Sequence, residues 1–430
     1  MSGGTVFLIM LVLIVLGIPV AFSITASSIL FLIVTELKPL LIVPQKMITG
    51  LDSFPLLAVP LFILVGNLMD VGGISKRLVK WCDMIVGGLP GGLGIVTIMS
   101  CTIFAALTGS GPATVAAIGA IMIPSMIQNG YKLETAGGMV AAAGALGPII
   151  PPSICMIVYG VTMNLSVPAM FMGGVIPGLI IAFLLIIVNT VIALRSPEIL
   201  IYRHASKFSA KAFLKITVEA LGALLLPVVV LGGIYGGIFT PTEAASIGVI
   251  YSLIVGMLVY RELKLKDLPK ILLKSIETAA MVNFIIGCAN ILSWITAVTQ
   301  LSKQIIDFLM TFVNSQFTYL IMLNLFLFVV GALLDTSAAI ILIAPVLIPL
   351  GISLGLDPLH LGVLFTINIV VGYVTPPFGY NLFTACSITG LKFDKLVRGV
   401  LPFMLIEMAA VMLFAYVPGI ITWLPRAFGY

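Results

Sequence analysis

The chain has 430 residues, 61% of them apolar and only 9% charged, with a mean hydropathy of +1.26. A soluble domain carries about a quarter charged residues, so this composition excludes a water-exposed globule. The apolar runs recur near the roughly 20 residues that a helix needs to cross hydrocarbon, and they lack the alternation of a transmembrane barrel; the prediction is an all-α polytopic membrane protein. Five scattered cysteines without a C-x-x-C pair argue against a disulfide framework or a thiolate metal site, and two histidines, His204 and His360, are too few for a zinc centre. A net charge of +5 carried in short loops makes nucleic acid a poor partner.

In chain order, the first apolar stretch, 6–34, is preceded by no basic segment and reads as a retained helix instead of a cleaved leader. An amphipathic surface helix follows at about 70–90. The apolar stretch 91–128 is interrupted at Thr108-Gly109-Ser110-Gly111-Pro112 and has basic residues on both flanks, so it enters and leaves on one side as a re-entrant hairpin. A helix broken at Gly147–Ser153 spans 133–163. Spans at about 218–238 and 242–260 are joined by a base-free turn, and another runs from 276 to 298. A second surface helix, nearly uncharged, covers about 299–317. The stretch 318–353, interrupted at Leu334-Asp335-Thr336-Ser337 between base-free flanks, is a second hairpin entering from the opposite face. A second broken helix at about 359–390 carries Gly372–Gly379. Of 21 Lys and Arg, 17 fall on one side of this arrangement, which the positive-inside rule makes cytoplasmic. About nine crossings result, with the amino terminus inside and the carboxyl terminus outside.

The two halves repeat. A shift of 225 residues pairs Pro124 with Pro349, Gly130 with Gly355, Gly137 with Gly362, Gly147 with Gly372, Pro151-Pro152 with Pro376-Pro377, Gly174 with Gly399 and Pro177 with Pro402. Local composition predicts about 1.6 such coincidences where eight occur. The first surface helix is basic and the second nearly uncharged, which makes the repeats inverted. Inverted repeats of discontinuous helices are the signature of secondary transporters that hold substrate near the midplane.

Each break frees carbonyls at the end of one half-helix and amides at the start of the next. The carbonyls, with the hydroxyls of Thr108, Ser110, Thr336, Ser337 and Thr375, form a neutral cage of hard oxygens that suits Na⁺. The amides of half-helices beginning near Gly111, Ser153 and Pro377 suit an anion such as a carboxylate. Proton coupling needs a titratable group in the membrane. Glu219, Glu243, Glu277 and Glu407 are available but lie away from the breaks, where helix capping or an interface accounts for them. Asp335 sits at a break and has two roles open to it, cation ligand or cap of the hairpin helix. Enzyme readings fail because no Ser–His pair and no second intramembrane aspartate is available. A channel is the competing non-enzymatic reading, since channels also use re-entrant loops.

The runs Asp52-Ser53-Phe54-Pro55-Leu56-Leu57-Ala58-Val59-Pro60-Leu61-Phe62, Gly66-Asn67-Leu68-Met69, Gly91-Gly92-Leu93, Phe104-Ala105-Ala106-Leu107-Thr108-Gly109-Ser110, Ile149-Ile150-Pro151-Pro152-Ser153 and Pro177-Gly178 together resemble the large membrane subunit of TRAP (tripartite ATP-independent periplasmic) transporters. The resemblance covers essentially the whole chain. One departure is the first hairpin tip, Thr108-Gly109-Ser110 where the family usually has Ser-Gly-Ser; the hydroxyl is kept and a methyl is added beside the substrate.

The resemblance implies an elevator-type fold, like that of the ion transporter superfamily, in the inner membrane of a bacterium or archaeon. It implies scaffold helices over 1–70, 195–275 and 276–298, arm helices over 71–90 and 299–317, and transport-domain halves over 91–194 and 318–430. It implies sodium-driven import of a carboxylate (a C4-dicarboxylate, sialic acid or 2-oxo acid), delivered by a periplasmic binding protein, with a small membrane subunit as a separate chain. Na⁺ is the coupling ion. One sodium site draws on Thr108, Ser110, Gly147, Ile150 and Pro152, and a second on Gly331, Asp335, Gly372, Thr375 and Pro377. The substrate carboxylate lies near Ser110, Gly111, Ser153, Thr336 and Ser337. A stand-alone sodium/carboxylate carrier without a binding protein is the alternative.

Overall fold

Glycine and proline set the ends of most helices in this chain, and their placement explains why apolar stretches of similar composition become single spans, hairpins or broken helices. The computed structural model describes residues 3–200, 210–311, 313 and 315–430, and the secondary structure among them is helical. The part of the expected basic loop at 201–209, with His204, and positions 312 and 314 beside the second arm lie outside the described residues.

The first apolar stretch is two helices, Gly3–Val15 and Val20–Thr35, where one was expected. Gly17 takes φ +86°, a conformation other residues adopt only at a cost, and Pro19 caps the second helix, so the run is interrupted despite its unbroken hydropathy. The short helix Ile42–Leu51 and the helix Ala58–Val71 follow. These pack with Pro241–Ile254 and with Leu268–Val298, a 31-residue helix that touches Val20–Thr35, Ile42–Leu51 and Ala58–Val71 in turn. Asn67 Nδ2 donates to Ser275 Oγ at 2.9 Å inside this group.

The first arm is Ile74–Val86. It buries Ile74, Leu78 and Cys82 along one face and exposes Lys76 and Lys80. Its start is pinned to the chain after Pro241–Ile254. Arg77 Nη1 donates to Glu262 Oε1 at 2.6 Å and to the Gly73 carbonyl at 2.8 Å, and the guanidinium lies 3.8 Å from the centre of the Tyr260 ring. The second arm, Leu301–Leu309, is shorter than expected.

The first hairpin is Gly92–Thr108 and Gly111–Gln128, the second Gln316–Leu333 and Thr336–Ser353; two residues separate the helices of each. The first broken helix is Leu133–Gly144 and Ile154–Met163, the second Pro358–Val371 and Tyr380–Thr389. Nine helices are long and apolar enough to cross a membrane among the described residues, but three of these are hairpin arms, Gly111–Gln128, Gln316–Leu333 and Thr336–Ser353. The pieces of the broken helices are too short to qualify singly.

The halves are interleaved. The long helix Val167–Leu194 of the first half packs on Pro358–Val371 of the second, and Phe393–Tyr416 of the second packs on Leu133–Gly144 of the first. Both crossings need small residues. A Cβ on Gly138 would lie 2.5 Å from the Val400 amide nitrogen, and one on Gly173 would lie 2.8 Å from Val363 Cγ2. The second half of each broken helix also packs on the other half's hairpin, Ile154–Met163 on Thr336–Ser353 and Tyr380–Thr389 on Gly111–Gln128. Outside the repeat, the chain ends in a helix not anticipated from the sequence, Gly419–Ala427, which rests on Val167–Leu194 and pairs Arg426 with Asp357 at 3.3 Å.

Gly138→Ala is therefore expected to lower the thermal unfolding midpoint of the purified protein, by an overpacking cost of about 1–3 kcal/mol. Gly232→Ala, whose Cβ would meet nothing within 4 Å inside Ala210–Tyr235, is expected to leave the midpoint unchanged or raise it. Equal behaviour of the two variants would contradict the close helix crossing at Gly138.

Candidate functional site

Proline and glycine stop the broken helices inside the protein, and what they leave behind is backbone without helical partners. In the first break, every residue from Ala145 to Ser153 is buried. The Pro148 carbonyl is taken by Ser153 Oγ at 2.5 Å. The carbonyls of Gly147, Ile150 and Pro152 accept no hydrogen bond among the described residues. The Ile149 and Pro151 carbonyls accept none either, and buried backbone oxygens are nearly always paired, so the stretch Gly147–Pro152 concentrates unpartnered acceptors. The Pro151–Pro152 and Pro376–Pro377 peptide bonds are both cis.

The first hairpin tip closes over this break. Gly109 takes φ +61° and a Cβ on it would lie 2.5 Å from the Pro152 carbonyl oxygen. A Cβ on Gly147 would lie 2.5 Å from the Ser110 carbonyl oxygen and 2.8 Å from the Gly111 nitrogen. Only glycine permits either approach. Thr108, Ser110, Gly147, Ile150 and Pro152, grouped from the sequence, are thus brought together. The Thr108 hydroxyl and the Ser110 carbonyl of the tip are both bonded by a residue the sequence reading did not include. Thr114 Oγ1 donates to the Ser110 carbonyl at 2.8 Å and lies 3.2 Å from Thr108 Oγ1. Its signal was a hydroxyl one turn into the helix that starts at Gly111.

The second cluster is built differently. The backbones of Gly331 and Gly372 touch, with Gly331's Cβ position 3.1 Å from Gly372 Cα. The Gly372 carbonyl is bonded by the Thr375 amide at 3.1 Å, so this predicted ligand already carries one partner. Thr375 Oγ1 donates to the Val371 carbonyl at 3.0 Å, which leaves its lone pairs free. Asp335 caps Thr336–Ser353: Oδ2 accepts from the Ser337 amide at 2.9 Å, while Oδ1 accepts from the Tyr373 hydroxyl at 3.3 Å. Of the two roles left open for Asp335, the cap is present; a carboxylate so bonded still has lone pairs for a cation.

Pro377 was expected at the start of a half-helix. That half-helix begins three residues later, at Tyr380, and Pro377 is exposed. The reason is Gly379, whose φ of +62° prolongs the break by a further turn of chain. Amides at the positive end there come from the segment after Gly379, not from Pro377.

Among the residues assigned to the substrate, Ser110 is partly exposed, Gly111, Ser153, Thr336 and Ser337 are buried. Ser153 is an N-cap: besides its bond to Pro148, its Oγ accepts from the Met156 amide at 3.2 Å. No hydrogen bond joins the two hairpin tips among the described residues. They are linked through the second broken helix, which sends Tyr373 to one tip and Asn381 to the other. Asn381 is fully buried, donates through Nδ2 to the Ala141 carbonyl at 2.9 Å, and its Oδ1 lies 2.8 Å from the Cβ position of Gly111. The sequence did offer a sign of it, a lone amide in the apolar half-helix following a Pro-Pro-Phe-Gly break.

Gly147→Ala is expected to displace the hairpin tip from the break and reduce uptake at least tenfold in proteoliposomes, while the protein still elutes as a folded species. Wild-type uptake by this variant would show that the tip and break do not meet in the working protein.

A family model described as the tripartite ATP-independent periplasmic transporter, DctM component, matches residues 7–420. The C4-dicarboxylate TRAP transporter large permease protein DctM of Vibrio cholerae is 37% identical, with 99% of this chain and 98% of that protein aligned. The isethionate TRAP transporter permease protein DctMQ of Oleidesulfovibrio alaskensis is also 37% identical over 94% of this chain, which spans 64% of its length. In fold alone, the chain resembles the crystal structure of the Alcanivorax borkumensis YdaH transporter, with a TM-score of 0.61 at 13% identity over 88% of both chains. These relatives are transporters, not enzymes. Hairpins, breaks and interleaved halves thus sit on a chain matched almost end to end by one family, and the protein belongs to the DctM (large permease) component family of the TRAP transporters.

Proposed function

We propose that this chain is the sodium-coupled importer at the centre of a tripartite system, moving a small organic acid inward after a periplasmic binding protein delivers it. The observation that carries this reading is the set of unpartnered carbonyls of Gly147, Ile150 and Pro152, buried in a break on which the backbone of the hairpin tip closes at Gly109 and Ser110. Neutral oxygens packed in a buried turn satisfy a hard monovalent cation without adding net charge. Gly331, Asp335, Gly372 and Thr375 supply the second sodium position, in which one carboxylate oxygen already holds the hairpin helix. Pro377 is the least suited of that set, being exposed.

The acid's carboxylate is received at the amino ends of the half-helices starting at Gly111, Ile154 and Thr336, where free amides and the helix dipole favour negative charge. With both sodium ions bound nearby, the carried charge is balanced by cations instead of by buried bases, of which the breaks have none. The hairpins and broken helices travel together as an elevator against the helices of 3–71 and 210–298. The amino terminus is cytoplasmic and the carboxyl terminus periplasmic in the inner membrane, with a small membrane subunit as a separate chain. The names of the two relatives above record a C4-dicarboxylate and isethionate, which supports a small organic anion as the cargo.

Proteoliposomes containing the complete system test this directly. Uptake of the acid is expected to require both an inward sodium gradient and the binding protein. Uptake by the membrane chain without binding protein would defeat the tripartite reading in favour of a stand-alone carrier, and uptake indifferent to sodium would defeat the coupling. Thr375→Ala is expected to raise the half-saturating sodium concentration about fivefold, the loss of one oxygen ligand, with an unchanged amount of protein in the membrane.

A further inference from the structure

The two cation clusters are held closed in different ways, and the difference lies in one side chain. In the first, backbone meets backbone: Gly109 against Pro152, and Gly147 against Ser110. In the second, the hairpin tip and the break are also joined by a hydrogen bond between side chains, from the Tyr373 hydroxyl to Asp335 Oδ1 at 3.3 Å. Under the repeat shift of 225 residues Tyr373 corresponds to Pro148, which has no donor.

Tyr373 is fixed on both of its sides. It lies in the short turn Gly372–Val374 that ends the first piece of the broken helix, and it is 5% exposed. Its ring packs at 5.4 Å and 55° against Tyr380, the first residue of the next piece. The ring therefore spans the break, and the hydroxyl reaches the hairpin. Asp335 is fixed by the same contact. Its Oδ2 accepts from the Ser337 amide at 2.9 Å, and the Ala338 amide and Ser337 hydroxyl also bond the carboxylate from the hairpin helix, so the Tyr373 hydroxyl on Oδ1 is the bond that reaches it from the break.

We propose that Tyr373 is a positioning residue of the second sodium site: by donating to Asp335 it holds the carboxylate in the orientation that completes the cage with Gly331, Gly372 and Thr375. The inference rests on the sodium-coupled reading above. Tyr373 acts through Asp335 and needs no contact with the ion. Phenylalanine in its place keeps the ring and its packing on Tyr380 and frees the carboxylate to turn.

The test uses Tyr373→Phe, Asp335→Asn and the double variant, with two readouts: the sodium-dependent rise of the unfolding midpoint of the purified protein, and sodium-dependent uptake with the binding protein present. Tyr373→Phe is expected to raise the half-saturating sodium concentration about tenfold in both, with the half-saturating acid concentration at high sodium unchanged. In the Asp335→Asn background the same substitution is expected to change nothing further. The midpoint in sodium-free choline buffer reports folding separately and is expected to stay where it was. A sodium requirement within twofold of wild type overturns the proposal. So does an effect that adds in full to that of Asp335→Asn, or a loss of sodium-free stability that accounts for the whole change. A wild-type chain that neither binds nor uses sodium overturns the coupling reading itself, and this inference with it.

Discussion

A peptide group without a hydrogen-bond partner is costly in a medium that has no water to offer, and this cost governs the architecture. Helices meet it along most of the chain. At the two breaks and two hairpin tips they do not, and there the unpaired groups must be covered by protein and given something to bind. The covering is done by glycines. Gly109, Gly147, Gly331 and Gly372 each sit where a Cβ would collide with the backbone across the gap, so tip and break close to backbone contact. The carbonyls that remain free are the groups the proposed cation would satisfy.

The two closed gaps differ in openness. The first break is buried from end to end, whereas the second surfaces at Pro377, Phe378 and Tyr380. The buried one keeps its unpartnered carbonyls away from solvent. The exposed one has the carboxylate, the stacked tyrosines and the already-bonded Gly372 carbonyl. The two halves thus place unlike groups at corresponding positions, neutral backbone oxygens in one and a charged side chain in the other.

Much of this could be read from the amino acids. The Gly/Pro register over 225 residues pointed to both breaks, because breakers are the residues whose backbone consequences depend least on tertiary context, and the polar interruptions of two apolar stretches with like-charged flanks pointed to the tips. The grouping of Thr108 and Ser110 with Gly147, Ile150 and Pro152 is what the family resemblance implies; the register alone pairs Gly147 with Gly372 and Pro152 with Pro377. Three things escaped. The interruption of the first apolar stretch turns on Gly17 and Pro19, which are mild punctuation inside a strongly hydrophobic run. The late start of the half-helix at Tyr380 depends on a positive φ at Gly379, which composition does not reveal. The roles of Tyr373 and Asn381 are tertiary: each reaches a hairpin tip, and although the lone amide of Asn381 stands out in its apolar half-helix, nothing local says what either touches.

The interleaving of the halves has a further meaning. Tyr380–Thr389 buttresses the hairpin of the first half, and Ile154–Met163 that of the second. A chain cut midway would therefore keep each tip over its own break but lose the half-helix that supports the hairpin from the other half. Such a fragment can be completed only by another molecule inserted upside down beside it, so the present single polypeptide retains, fused by its middle helices, the geometry of two entwined antiparallel partners.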